Sequence, residues 1–424
     1  MATPSPAAPA ARPPAASRSL AGAGFALAVL FSMNLLNYID RYIPSSVKDL
    51  FKTDLHFTDA QTSYPLSAFI IVYMLTSPLF GALADRWSRK GLIALGVGLW
   101  SLATAAAAFA TGFWSFLAAR ALVGVGEAAY ATLAPVILSD FHHPERRNRI
   151  LTIFYIAIPV GSAIGFKLGG FLGPRFGWRA AFLIVGLPGL LAAALVLLMR
   201  DPGRGTFDAD RAEAPPRWSR AIPLLLRNRE YMFAVVGYTA VTFASGALAD
   251  WFPTFLSRHR GFSLADADEL IGATLVLGGL TGNLAGGFLA DGLRTRWANA
   301  YFGLSWVSMA LSAACAVLAL RIQGHAAITA AIFLAIFFMW FYNGPINTII
   351  ANSVSGVLRA RAFAFSIFAI HVLGDAASPS VVGKVSDLSS LPLAISLVPI
   401  AMAVGAVVWA VGWRMLPPTS PAKS

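Results

Sequence analysis

Residues 37–42 read Asn-Tyr-Ile-Asp-Arg-Tyr, an acid beside a base near the end of a long apolar run. A second acid and base, Arg120 and Glu127, stand seven apart in the apolar stretch "RALVGVGEAAY". Charged side chains inside a bilayer are expensive, face a bundle interior or water, and mark ion or substrate paths. A carboxyl in apolar surroundings holds its proton more tightly, and an opposite charge loosens it. Asp40 and Glu127 are therefore candidate proton carriers, and Arg41 and Arg120 candidate anion binders. With about 1.5 Å of rise per residue, Asp40 sits ~30 Å up the first span. Arg120 comes to a similar depth on an antiparallel helix, with Glu127 ~10 Å further in. The simplest scheme has Arg120 alternate between Asp40 and Glu127 as a proton arrives. The competing reading is a structural ion pair that fixes helix packing, with Arg41 snorkelling to the surface.

Other residues join this set. His371 and Asp375 are one helical turn apart and form a second candidate for proton coupling, since histidine titrates near neutral pH. Asn343 and Asn347 flank Gly344-Pro345 as a candidate break that lines a cavity. Tyr38, Tyr42 and Tyr130, with Tyr155 and Phe341, are candidate apolar walls beside the charges. A pocket with one polar corner and large apolar walls suits an amphiphile. Lys167 is a candidate for attracting an anionic head group, or a snorkelling residue. Asp250 and Trp251 read as interface residues.

The elements that must position these groups follow from composition. Of 424 residues, 57% are hydrophobic and only 12% charged, about half the charged share of a soluble protein. Apolar runs near 20 residues, each able to cross a bilayer as a helix, recur along the chain. They fall at 19–43, 62–84, 91–111, 114–139, 150–172, 179–199, 231–255, 269–291, 298–320, 326–349, 362–383 and 391–413. The predicted fold is an all-α polytopic membrane protein, with twelve spans in two pseudo-symmetric six-helix bundles. Residues 19–200 and 230–414 form the bundles, 201–229 a polar linker with a short amphipathic helix at Trp218–Leu226. Residues 1–18, rich in Pro and Ala, and 415–424 are expected to be tails.

The net charge of +12 would suit nucleic acid, but its placement argues otherwise. Of 32 Lys and Arg, 21 fall in the segments on the N-terminal side of the membrane and 8 on the other. The positive-inside rule puts both termini in the cytoplasm and explains the surplus without a nucleic-acid partner. Cys315 is the single cysteine, so no internal disulfide exists. No His-Glu-x-x-His, Gly-x-Ser-x-Gly or phosphate-cradling loop occurs, which argues against an enzyme and an ATP-driven pump. No cofactor or metal is expected; protons are the expected coupling ion.

"GALADRWSRK" (Gly81 to Lys90) ends the second span and "GFLADGLRTR" (Gly287 to Arg296) the eighth, 206 positions apart. Arg147-x-Arg149 and Arg359-x-Arg361 repeat the echo at the fifth and eleventh spans. Parallel repeats of this kind belong to transporters with a site between the halves. Gly81, Asp85, Arg86, Arg89 and Lys90, with Asp291 and Arg296, form a candidate gating loop. Gly81 would let helix ends approach closely, and Asp85 would face a helix N-terminus.

The loop at Gly81–Lys90 resembles the signature of the major facilitator superfamily. "NYIDRY", "RALVGVGEAAY" and "HHPERRNR" together resemble its Spinster branch. That resemblance implies a secondary transporter of lysophospholipids or sphingosine phosphate, with Asp40, Arg41, Arg120 and Glu127 as cavity charges. An organic-anion symporter branch shares the Asn-Tyr-x-Asp-Arg pattern, so a small organic anion, or uncoupled movement, stays open. The expected setting is a bacterial inner membrane, and the expected state a monomer.

Overall fold

The computed structural model describes residues 16–84, 86–203, 218–294, 297 and 299–416. Among them the chain is helical and contains no strand. The first half contains α1 (Ala16–Ser46), α2 (Lys48–Leu55), α3 (Asp59–Leu83), α4 (Arg89–Ala107), α5 (Phe113–Asp140), α6 (Pro144–Gly186) and α7 (Pro188–Leu197). A short helix α8 (Trp218–Arg227) stands where the sequence predicts an amphipathic one, with Ala221 and Leu225 buried. The second half contains α9 (Arg229–His259), α10 (Leu264–Arg294), α11 (Ala300–Arg321), α12 (His325–Met339), α13 (Asn343–Asn352), α14 (Gly356–Ile370), α15 (Ser378–Leu388), α16 (Leu391–Ala394) and α17 (Leu397–Met415). The tails at 1–15 and 417–424 and linker residues 204–217 lie outside the described residues.

Among the described residues, eleven helical stretches are long and apolar enough to cross a membrane, and one of them, Arg149–Leu197, is 49 residues long. At ~1.5 Å per residue it is more than twice the length of one crossing. Gly177, at φ 82° and ψ 160°, turns it back on itself. That left-handed φ costs a side chain energy and glycine almost nothing. The stretch is therefore two crossings, for twelve in all, as the apolar runs predict.

Polar residues start several helices. Thr58 and Gln61 form a reciprocal cap on α3, and the Asn228 side chain accepts from Tyr231 N on α9. Within a half, close packing supplies the cohesion that the hydrophobic effect cannot supply between helices already in lipid. Gly124 of α5 lies so near α3 that a β-carbon there would meet the Phe69 carbonyl oxygen at 2.5 Å. Each half carries its own apolar core, around Trp100, Tyr130 and Leu138 in the first and Trp251, Met309 and Trp409 in the second. The halves meet where α3 packs on α15 and α6 on α10.

Candidate functional site

α1 and α5 bring four charges together inside the first half, with pairings crossed relative to the sequence order. Arg120 Nη1 donates to Asp40 Oδ1 at 3.2 Å, and Thr104 Oγ1 donates to Asp40 Oδ2 at 2.5 Å. Arg41 Nη2 donates to Glu127 Oε2 at 2.7 Å. Neighbours on a helix point about 100° apart, so Asp40 and Arg41 necessarily address different targets. Glu127 thus has its own base, and the expected alternation of Arg120 between the two acids is not the arrangement seen. Nor does Arg41 snorkel away: its guanidinium lies 4.8 Å from the Tyr38 ring centre, 4.9 Å from Phe69 and 5.7 Å from Tyr73.

Burial separates the pairs. The Asp40 and Arg120 side chains are 2% and 1% exposed, whereas Arg41 is 23% exposed over a fully buried Glu127. Glu127 Oε1, Arg120 Nη2 and Arg41 Nε are buried and bond to nothing among the described residues. Each buried ion costs several kcal/mol of lost hydration, and removing one partner of such a pair costs ~3–5 kcal/mol. Stability alone is a poor reason to keep four.

Facing them, the second half presents His371 and Asp375 on a π-helical turn between α14 and α15. His371 Nδ1 lies 2.9 Å from Asp375 Oδ2, and Ala376 N bonds back to His371 O at 2.9 Å, five residues earlier. Such turns recur at functional sites. The turn packs against α3 of the first half and α9 of its own half. The break expected near Pro345 is a 3-10 turn at Trp340–Tyr342 between α12 and α13. Proline has no N–H to give to the carbonyl four residues back. Beside it, Asn343 Nδ2 donates to Asn283 Oδ1 at 3.2 Å and Asn347 Nδ2 to Asn343 Oδ1 at 3.0 Å. Tyr130 belongs elsewhere: its hydroxyl donates to Leu30 O at 2.6 Å in the core of the first half, so it is a packing residue in this structure.

The end of the bundle where α1, α3, α6, α9, α10 and α15 meet is sealed by a polar network that sequence reasoning missed. Lys48 bonds Asp250 and, at 3.3 Å, Ser63; Ser45 Oγ donates to Asp250 Oδ1 at 2.7 Å. The Lys48 ammonium also lies 3.8 Å from the Trp251 ring centre. Burial pushes Lys48 below the usual lysine range, and the Asp250 carboxylate pulls it partly back. Arg258 clamps Asp49 and, at 3.0 Å, Asp59; Asp59 also accepts from Ser386 at 2.6 Å. Asp387 accepts from the Asp59 and Ala60 amides at 2.8 and 3.0 Å, and Ser67 meets Ser380 at 2.6 Å. All of these except the Lys48–Ser63 bond join one half to the other. In the sequence, Lys48 is one of the 8 basic residues counted on the far side of the membrane, and Asp250 reads as an interface residue. The available signal was that an acid near the end of the apolar run 231–255 needs a partner. Lys167, expected to snorkel or hold a head group, is 69% exposed and pairs with Glu269 at 3.0 Å.

At the opposite, basic end the repeat loops differ from the expected gate. Arg89 is buried and binds Asp140 in its own half and, at 2.7 Å, Asp201 at the start of the linker. Lys90 Nζ donates to Leu197 O at 3.1 Å and Met199 O at 3.0 Å. These contacts tie the first half to itself and to the start of the linker. Gly81 permits no close approach here, since an added β-carbon would find Thr132 at 3.9 Å. Arg86 is exposed, and Tyr301 donates to Asp291 at 3.2 Å. Asp85 and Arg296 lie outside the described residues.

Two repeated six-helix halves with buried charges at their interface define a membrane transporter rather than an enzyme, and the family model of the Major Facilitator Superfamily matches residues 30–379. Protein spinster of Drosophila melanogaster is 35% identical over 378 residues, covering 86% of this chain and 62% of that protein. Human Protein spinster homolog 1 is 34% identical over 387 residues, covering 85% and 72%. The chain thus spans somewhat under two thirds of the fly relative's length. A bacterial homolog of the human lysosomal transporter Spinster, solved in inward-facing unoccupied and occupied conformations, shares the fold. The TM-scores are 0.79 and 0.81 at 23% and 22% identity, over 92% and 94% of this chain and 95% and 99% of the solved ones. The chain belongs to the Spinster-type members of the major facilitator superfamily.

Proposed function

We propose that this chain is a proton-coupled secondary transporter that moves an anionic amphiphile, such as a lysophospholipid or sphingosine phosphate, by alternating access. The observation that carries this reading is the Arg41–Glu127 pair, one side buried and the other partly exposed among Tyr38, Phe69 and Tyr73. A proton on Glu127 removes the charge that holds Arg41 and frees the guanidinium for an anionic head group. Aromatic walls take the apolar chain, and arginine is well suited to a phosphate. His371 and Asp375, across the interface, are a second proton acceptor and donor. Asp40 and Arg120, fully buried, hold α1 to α5 while the Arg41–Glu127 pair exchanges partners.

The sealed Lys48 end is the outer one in this reading, and the basic end faces the cytoplasm with both termini, in a bacterial inner membrane. The transporter works as a monomer. The test is uptake into proteoliposomes under an imposed pH gradient, with lysolipids, sphingosine phosphate and small organic anions in parallel. Glu127→Gln is expected to abolish gradient-driven accumulation of the amphiphile and to leave downhill exchange. Normal accumulation in that variant refutes the coupling role, and movement of organic anions alone refutes the substrate class.

A further inference from the structure

Asp268 of α10 is buried where α10 meets α1 and α6, and the central pairs do not use it. One of its oxygens, Oδ1, is buried and bonds to nothing among the described residues. The other, Oδ2, lies 2.5 Å from Ser46 Oγ, and Ser46 Oγ lies 3.2 Å from Phe166 O. A serine hydroxyl has one proton to give. If Asp268 were ionised, that proton would go to the carboxylate, and Phe166 O would keep only the N–H of residue 170 in its own helix. With a proton on Oδ2, the chain closes: Asp268 donates to Ser46, and Ser46 donates to Phe166 O.

The charges around Asp268 leave it no cation. On α2, Asp49 adds a like charge that reaches it. Lys48 is taken by Asp250 and Ser63, Lys167 of α6 by Glu269, and Arg258 of α9 by Asp49 and Asp59. Arg260 is given to the Leu320 and Ile322 carbonyls, His259 lies against Phe255, and His325 of α12 stacks on Phe262. The backbone of α6 also lies close over the carboxyl: a β-carbon on Gly170 would sit 3.0 Å from Asp268 Oδ2. A carboxyl buried in this way neutralises rather than stays charged.

We propose that Asp268 binds a proton whenever the Lys48 end is sealed, so that sealing takes up one proton at a site separate from Asp40 and Glu127. Opening that end wets Asp268 and returns it to an ordinary carboxyl, which releases the proton. The sign follows: sealing is favoured at low pH and is lost as pH rises through the titration of the sealed form.

The test uses the full chain with Cys315→Ala and spin labels on Thr53→Cys and Leu388→Cys, both exposed at the sealed end on opposite halves. Distances are measured from acid to alkaline pH, with infrared spectra of the same samples. In the parent protein the open-to-sealed ratio should rise up to about tenfold per pH unit, the limit for one proton. Asp268→Asn keeps a donor toward Ser46 without the charge, so it should stay sealed across the range. It should also lose the infrared carbonyl band of a protonated carboxyl at neutral pH. Identical pH curves in both proteins, or a band that survives Asp268→Asn, overturn the proposal. Normal accumulation in Glu127→Gln, which would refute the coupling role of the central pair, leaves both readouts unchanged.

Discussion

Two sets of buried charges in this molecule obey the same electrostatics and answer to different constraints. The central set, Asp40–Arg120 and Arg41–Glu127, lies wholly within the first half on α1 and α5. The set at the sealed end, Lys48–Asp250 and Arg258 with Asp49 and Asp59, joins the first half to the second. Rigid-body rocking of one half against the other leaves the first set intact and must break the second. The Asp40–Arg120 pair can therefore be as deep as the fold allows, because nothing has to pull it apart, whereas Arg41–Glu127 must part when Glu127 takes a proton. Pairs at the seal must be strong enough to close the end and weak enough to part. There a buried Lys48–Asp250 pair is flanked by smaller contacts, with serines sharing the load and Arg258 still 23% exposed.

That contrast has measurable edges. Arg120→Ala should have the largest effect, because it leaves Asp40 buried with Thr104 as its remaining partner. A loss of ~3–5 kcal/mol in folding stability is expected, read as a lower thermal unfolding midpoint in detergent. Removing both charges, Asp40→Asn with Arg120→Met, should restore most of that stability and, with it, most of the transport. Recovery of transport would place this pair on the structural side of the comparison. Asp250→Asn should act differently, since the open form with Lys48 hydrated is still folded. The expected result is a shift of about 2–3 kcal/mol toward the unsealed form, read as a longer label distance between Thr53 and Leu388, with a smaller change in unfolding midpoint.

Arg258→Ala should shift the same equilibrium by about 1 kcal/mol, because its site is partly solvated. Reversing a partner together with it, Asp49→Arg with Arg258→Asp, should recover part of the loss if the contact acts as a charge pair. Lys167→Ala should be the mildest, below about 0.5 kcal/mol by either measurement, since both partners of that interhalf pair are mostly in solvent. A large effect there would mean that the seal extends along α6 and α10 further than the buried network suggests.

The legible part of this protein was the part governed by one-dimensional rules. Run length gave the crossings, and the 206-residue echo between Gly81 and Gly287 gave the duplicated halves. Acids and bases within apolar runs were conspicuous enough to pick out Asp40, Arg41, Arg120, Glu127, His371 and Asp375 before any coordinates. The illegible part was pairing. Arg41 or Arg120 could each have served Glu127, and helical phase alone does not choose between them. Tyr130 and Tyr38 look alike in sequence; only packing against Leu30 and Trp100 assigns Tyr130 to the core. Arg89 sits in a loop whose repeat suggested a gate, yet Asp140 in its own half and Asp201 at the start of the linker hold it.

By itself, then, the sequence determined the membrane class, the twelve crossings and which intramembrane residues bear charge, because hydration cost is local and is set by residue type. Only the tertiary structure decided which charge meets which: Lys48 with Asp250 is 202 positions apart, and Ser46 with Asp268 is 222. The physical reason is that a buried charge requires a partner but does not specify one. The choice is made by which helices pack side by side, and close-packed backbone at residues such as Gly124 and Gly170 sets that.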